Sequence, residues 1–270
     1  MALSNVYLTA GMRSNLLSLQ RNAELFDQTQ LRLSTGKKVN SALEDPVNFF
    51  KAQAHSNRAS DLASRKDGMS EAIQLIKAAD SGISGITNLL ETAKSLAQAA
   101  RTAEDPSTLE DQYDVILDQI ADLAEDSGYG GKNLLDSDEL TVQFNEDGTN
   151  SLSISGFSAT TSGTIGSVSI TAADFSDQDA IDTAIGEIDD AIAELRTQSQ
   201  QLSSNLSIIT FRQDFTQNMI DTLQKGADNL VLADMNEEGA NMLMLQTRQQ
   251  LGTTALSLAS QAAQSVLRLF

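Results

Sequence analysis

The chain contains no cysteine, so a disulfide framework, a cysteine-based zinc site and a thiol nucleophile are all excluded. It has no tryptophan, two prolines and a single histidine, His55, so a metal site built on two histidines is impossible. Aromatics make up only 4% of the 270 residues, too few for the core of a typical compact enzyme. Basic residues are scarce beside acidic ones: 18 Lys and Arg against 37 Asp and Glu give a net charge of −19. That balance argues against nucleic-acid binding, which needs clustered cations, and against docking on anionic lipid. No apolar run reaches the length of a membrane span without polar interruption, so membrane insertion is not expected. The opening residues lack a basic segment followed by an apolar one, so no cleaved signal peptide is visible. By residues alone, that would place the chain in the cytoplasm.

What the chain has is Ala, Leu, Ser, Gln and Asp in helical periods. Met12, Leu16, Leu19, Ala23, Phe26 and Leu33, with Gln30 in the one polar slot, alternate four and three apart and mark one face of a first helix. A polar stretch around Gly36 interrupts it. Asp45-Pro46 reads as a helix start, with Asp as N-cap and Pro at the first helical position. The helix that follows carries Met69, Ile73, Ile76, Ile83, Ile86 and Leu90. Asp105-Pro106 repeats the start signal before Leu109, Tyr113, Ile116, Ile120 and Leu123, and Gly128, Gly130 and Gly131 close that segment.

From about 138 to 171 the period falls to two. "LTVQF" and "SLSIS" flank "NEDGTN" and predict a hairpin, and "GTIGSVSIT" predicts one further strand. A helix capped by Ser176 or Asp177 should follow. Ile181, Ile185, Ile188, Ile192, Leu195, Ser199, Leu202, Leu206 and Ile209 hold four-three spacing through four heptads, a coiled-coil pattern. Breaks are expected near Gly226 and Gly239. The last segment carries Leu245, Leu256, Ala259, Ala263, Val266 and Phe270, with a second row at Leu251, Ala255, Leu258, Ala262 and Leu269.

The predicted fold is mainly α: an elongated antiparallel helical bundle or coiled coil from both chain ends, with a small central β-hairpin region. Three parts are expected: a terminal-helix domain from 1–34 and 234–270, a helical rod from 35–137 and 175–233, and a β region over 138–174. The rod core should hold Ile73, Ile76, Ile83, Leu90, Ile116, Ile120, Ile185, Ile188, Ile192, Leu195 and Leu202. Two terminal helices with wide apolar faces leave apolar surface uncovered even when paired, and such surface marks a protein–protein interface. The expected interface residues are Met12, Leu16, Leu19, Phe26, Leu33, Leu245, Leu251, Leu256, Ala259, Val266, Leu269 and Phe270. Both ends are expected to be partly disordered in the monomer and to become helical when copies pack together. The competing reading is a bundle closed on itself by its first and last helices.

No catalytic constellation is visible, so no enzyme and no cofactor are expected. The pairs Glu44-Asp45, Asp189-Asp190 and Glu237-Glu238 are sequence neighbours, which on a helix do not share a face. "DSDEL" and "NEDGTN" lack calcium-loop spacing and read as turns. Met242 and Met244, beside Leu243 and Leu245, offer an adaptable contact face or ordinary packing. Serines and threonines from 153 to 171 are open to O-linked sugars, which sequence does not decide.

Four motifs carry a resemblance. "LSTGKKVNSALEDP" (33–46), "YGGKNLLD" (129–136), "IDDAIAELRTQSQQLSSN" (188–205) and "ADMNEEGANMLMLQTRQQLGTTALSLASQAAQSVLRLF" (233–270) resemble, in order, the motifs of bacterial flagellins. The chain resembles a short form with little or no outer domain. The resemblance implies a structural subunit that self-assembles through its terminal helices into the flagellar filament and serves swimming motility. It implies extracellular placement, reached unfolded through the flagellar type III export channel without signal cleavage. Implied partners are further copies in a helical homopolymer, hook-associated junction and cap proteins, and an export chaperone on the C-terminal segment. Alternatives are the hook–filament junction protein of the same superfamily and a cell-surface homologue acting as an adhesin. In flagellins sensed by the vertebrate innate immune receptor, a Gln-Arg pair is followed by Leu. The matching positions here are Glu91, Thr92 and Leu96. The missing Arg implies weak recognition.

Overall fold

The structure, a computed structural model, describes residues 10–160, 163–171, 174–175 and 177–267 apart from the side chains of 263, 266 and 267. Five helices carry the fold: α1 (Ala10–Thr35), α2 (Pro46–Ala100), α3 (Ser107–Asp126), α4 (Gln178–Val231) and α5 (Met235–Leu267). Between α3 and α4 lie β1 (Glu139–Gln143), β2 (Ser151–Ser155), β3 (Thr164–Ile165) and β4 (Val168–Ser169), paired as two antiparallel hairpins. The fold is mainly α, as the periodicities predict. The chain divides into two compact units, Met1–Asn57 with Leu223–Phe270, and Arg58–Thr222. The first unit thus takes in the connector after α1 and the ends of α2 and α4 as well as the terminal helices.

Local chemistry sets the boundaries. α1 ends where Gly36 takes a φ of +69°, a left-handed conformation that suits glycine, while its N–H closes on the Arg32 carbonyl at 2.8 Å. The connector then runs beside the α4–α5 joint. Lys38 N–H donates to the Val231 carbonyl at 2.7 Å, and Ala233 N–H to the Gly36 carbonyl at 2.9 Å. Asp45 caps α2 as expected, its carboxylate accepting the Asn48 backbone N–H at 3.0 Å. α3 starts one residue later than Asp105-Pro106 suggests. Pro106 is itself the N-cap, and Asp105 turns its carboxylate to the N–H and hydroxyl of Ser107 at 3.2 and 2.8 Å.

The expected breaks at Gly226 and Gly239 fall inside α4 and α5. The real break is Leu232–Asp234, where the Asp234 carboxylate accepts the N–H of Asn236 at 2.8 Å and caps α5. A lone glycine costs a helix about 1 kcal/mol, which does not outweigh a good cap nearby. For α4 the cap is Asp177, whose carboxylate accepts the Asp179 N–H at 3.1 Å; Ser176 lies outside the described residues. The stretch read as one further strand is a tight hairpin, β3–β4, turning at Gly166 and Ser167.

In the 58–222 unit, α2 and α4 run antiparallel. Lys94 meets Asp189, Ser199 donates to Asp80 at 2.8 Å, and Gln213 donates to Ser70 at 2.7 Å. Ser199 occupies the one polar slot of the heptad run, and Asp80 satisfies it. Of the residues assigned to the rod core, Ile76, Ile83, Leu90, Ile120, Ile188, Ile192, Leu195 and Leu202 are buried, and Ile73, Ile116 and Ile185 are half-buried against them. The "YGGKNLLD" motif closes one end of this core. Leu134 and Leu135 are fully buried, and the Asn133 amide donates to the last-turn carbonyl of Ala124 in α3 at 2.7 Å. β1 and β2 pair from Glu139 with Ser155 to Gln143 with Ser151, and bury Val142 and Ile154 on one face.

Candidate assembly surface on the terminal helices

α1 and α5 pack against each other in the terminal unit, antiparallel. Leu19 contacts Gly252, Asn22 lies against Leu245, and Arg32 lies against Glu238. The seam is not the purely apolar stripe that spacing suggests. On α1, Met12, Asn22 and Thr29 are buried, and Asn15, Leu19, Phe26 and Leu33 are half-buried. These residues alternate three and four apart, so apolar side chains at 12, 19, 26 and 33 interleave with polar ones at 15, 22 and 29. The Asn22 amide donates to the Leu245 carbonyl at 2.9 Å. Arg32 Nη1 donates to Glu238 Oε1 at 2.9 Å, and the Glu238 side chain is only 9% exposed. Asn22 and the Arg32–Glu238 pair enter this seam with partners in hand, as buried polar groups generally do, although Arg32 Nε is left buried without one among the described residues.

Turning the seam toward Asn22 and Thr29 leaves leucines outside. On α1, Leu16 is exposed, and so are Leu17, Leu25 and Leu31. On α5, Leu245 is buried and Leu256 and Ala259 are half-buried, whereas Leu243, Met244, Leu251 and Leu258 are exposed, Leu251 at 65%. Leu269, Phe270 and the side chain of Val266 lie outside the described residues. The expected interface set therefore splits: Met12, Leu19, Phe26, Leu33, Leu245, Leu256 and Ala259 face or flank the intramolecular seam, and Leu16 and Leu251 face outward. Leu17, Leu25, Leu31 and Leu243 were not in that set. Their signal is apolar residues on more than one face of a helix, which single-stripe reading discards.

Eight large apolar side chains on the outer faces of one helix pair form the kind of surface that a partner covers. Burying the exposed part of each leucine is worth roughly 1–2 kcal/mol at 25 cal/mol per Å².

Among the described residues, no three acidic or histidine side chains are grouped as a metal would require, and no helix is long and apolar enough to cross a membrane. His55 sits half-buried on α2 beside Gly226.

Family comparison matches this architecture at both ends. Residues 7–139 match the bacterial flagellin N-terminal helical region, and residues 179–270 match the bacterial flagellin C-terminal helical region. Together they cover most of the chain, which belongs to the bacterial flagellin family. Flagellin FljM of Caulobacter vibrioides is 32% identical over the full length of both chains. The flagellin of Brucella melitensis is 27% identical over 99% of each. A crystal structure of Bacillus cereus flagellin overlays 55% of this chain and 88% of that one, with a TM-score of 0.47 at 19% identity.

Proposed function

We propose that this flagellin, a structural subunit of the flagellar filament, polymerises through the outward apolar faces of α1 and α5. One observation carries the reading: Leu17, Leu25, Leu31, Leu243, Leu251 and Leu258 stay exposed after the two helices have paired. Copies stacked through these faces bury what the monomer leaves in water. The 58–222 unit buries its own core and folds without that contact. Chemistry plays no part in this role, and the protein is not an enzyme. It leaves the cell through the flagellar export channel without signal cleavage, with a chaperone on the C-terminal segment, and ends outside the cell. Junction and cap proteins of the hook-associated class bound the polymer at its two ends.

The test is polymerisation of purified full-length chain by a kosmotropic sulfate salt, which strengthens apolar burial, beside a chain lacking residues 241–270. Negative-stain microscopy should show long uniform tubes from the full chain only. Monomers or amorphous clumps from both would overturn the reading in favour of the junction protein or a surface homologue.

A further inference from the structure

The α1–α5 seam repeats every seven residues on both helices. α5 presents Glu238, Leu245, Gly252 and Ala259 to the seam, and α1 presents Met12, Leu19, Phe26 and Leu33. A strict seven-residue repeat has a weakness: sliding one helix by a heptad, about 10 Å, puts apolar residues on apolar residues again. Something other than apolar burial must choose the register.

The connector bonds of Lys38 to Val231 and Ala233 to Gly36 hold one end of the pair, and along the seam itself two further contacts are not repeated from heptad to heptad. The first is the Arg32–Glu238 ion pair at 2.9 Å. A heptad slip would put a leucine or valine of the α4–α5 arm against Arg32 and leave the buried Glu238 carboxylate facing apolar side chains. A buried charge without its partner is strongly unfavourable. The second is the seat of Leu19. A Cβ on Gly252 would lie 2.7 Å from Leu19 Cδ2, so the leucine occupies space that only glycine leaves free. A slip would set Leu19 on Leu245 or Ala259 instead. The Asn22 bond does not discriminate in this way, because every helical turn offers a carbonyl.

We propose that Glu238, held by Arg32, and Gly252, seating Leu19, are the positioning residues that fix the register of α5 on α1. They fix the stagger at which the outward leucines of the two helices are displayed. A polymer built on that display needs every copy to present it identically, so the ion pair serves specificity rather than stability. Polar groups in helical seams act this way elsewhere, choosing register at some cost in stability. Register matters to assembly only if the pair carries the surface proposed above. Register is read on monomer as well as on polymer, so the two ideas can fail separately.

The chain has no cysteine, so introduced pairs report alone. Leu245→Cys is combined in turn with Asn15→Cys, Asn22→Cys or Thr29→Cys, and each full-length chain is oxidised as monomer and as sedimented polymer. The parent register should give disulfide with Asn22→Cys only. Replacing the ion pair by Arg32→Met with Glu238→Leu should raise the Asn15→Cys or Thr29→Cys product from background to a yield comparable with that of Asn22→Cys, without lowering the melting temperature. The charge-reversed pair, Arg32→Glu with Glu238→Arg, should restore the single product. Gly252→Ala should relax the register in the same direction. Exclusive Asn22→Cys cross-linking in the apolar double variant and in Gly252→Ala overturns the proposal. So do equal yields, or no product, for all three pairs in the parent chain.

Discussion

Tyr113 shows how one side chain can be well packed and badly satisfied. Its ring is fully buried on α3, 5.2 Å from that of Phe175, yet its hydroxyl has no hydrogen-bond partner among the described residues. Burial first, then the negative charges of Glu187 and Asp114, push its ionisation well above the ordinary 10.0. Below pH 10 the folded and unfolded chains both keep the proton, and stability does not respond to this group. Above pH 10 the unfolded chain ionises while the folded chain does not, so folding loses stability as pH rises. Tyr113→Phe should raise the unfolding free energy by roughly 1 kcal/mol near pH 7, the scale of one unsatisfied buried group. It should also flatten the loss of stability between pH 10 and 12. Urea titrations across that range check both effects, and a less stable phenylalanine variant would show that the hydroxyl has found a partner, such as a bound water.

At the scale of the element, helices of similar composition do two different jobs. α4 carries a heptad stripe that the core of the 58–222 unit takes up, with Ile188 and Leu195 fully buried, while Ile208, Phe211 and Phe215 lie exposed beside it. α1 and α5 show leucines on several faces, and pairing consumes only one face of each. Substitutions should separate the two jobs. Leu195→Ala should cost about 2–5 kcal/mol of stability by leaving a cavity. Leu251→Asp should leave thermal unfolding of the 58–222 unit unchanged and abolish tube formation in sulfate. Calorimetry beside sedimentation of polymer distinguishes them, and normal tubes from Leu251→Asp would discredit the outward face of α5 as an assembly surface. Leu256→Asp, which falls on the half-buried flank of the seam, should abolish assembly too, by disturbing the pair itself.

At the scale of the whole molecule, charge is divided as sharply as hydrophobicity. Residues 58–222 hold nine Lys and Arg against 29 Asp and Glu, a net −20, while the remaining residues hold nine against eight, a net +1. All of the excess acidity lies outside the unit that bears the assembly surface. Copies brought together bring together 20 negative charges each, and such repulsion dies away within about 10 Å at 0.1 M salt but reaches about 30 Å at 0.01 M. Raising sodium chloride from about 10 to 150 mM should therefore speed polymer growth, as followed by light scattering; growth that ignores salt would mean that the acidic surfaces stay far apart in the polymer. The same unit carries the proposed difference in immune recognition. Glu91 and Thr92, which the resemblance matches to the Gln-Arg pair of sensed flagellins, are exposed on α2. Reporter-cell activation should be weaker than that by a Gln-Arg flagellin by at least about tenfold, since losing one desolvated charged contact is worth 2 kcal/mol or more.

Sequence by itself determined the element types and the family, because both are written in short-range code. Heptad spacing from Ile181 to Ile209, the cap at Asp45 and the four motifs are each legible within a few turns of helix. Boundaries set by competition were less legible: Gly226 and Gly239 look like breaks until the Asp234 cap is seen to win. The orientation of the terminal helices was decided only by tertiary structure. Spacing ranks side chains by hydrophobicity and so puts Leu16 on the α1 seam. The folded pair buries Asn22 and Thr29 instead and leaves Leu16 exposed, because Leu245 offers a carbonyl to Asn22 and Glu238 a carboxylate to Arg32 more than 200 residues away along the chain. A partner that distant has no signature in local periodicity, and which leucines remain for the filament follows from that choice.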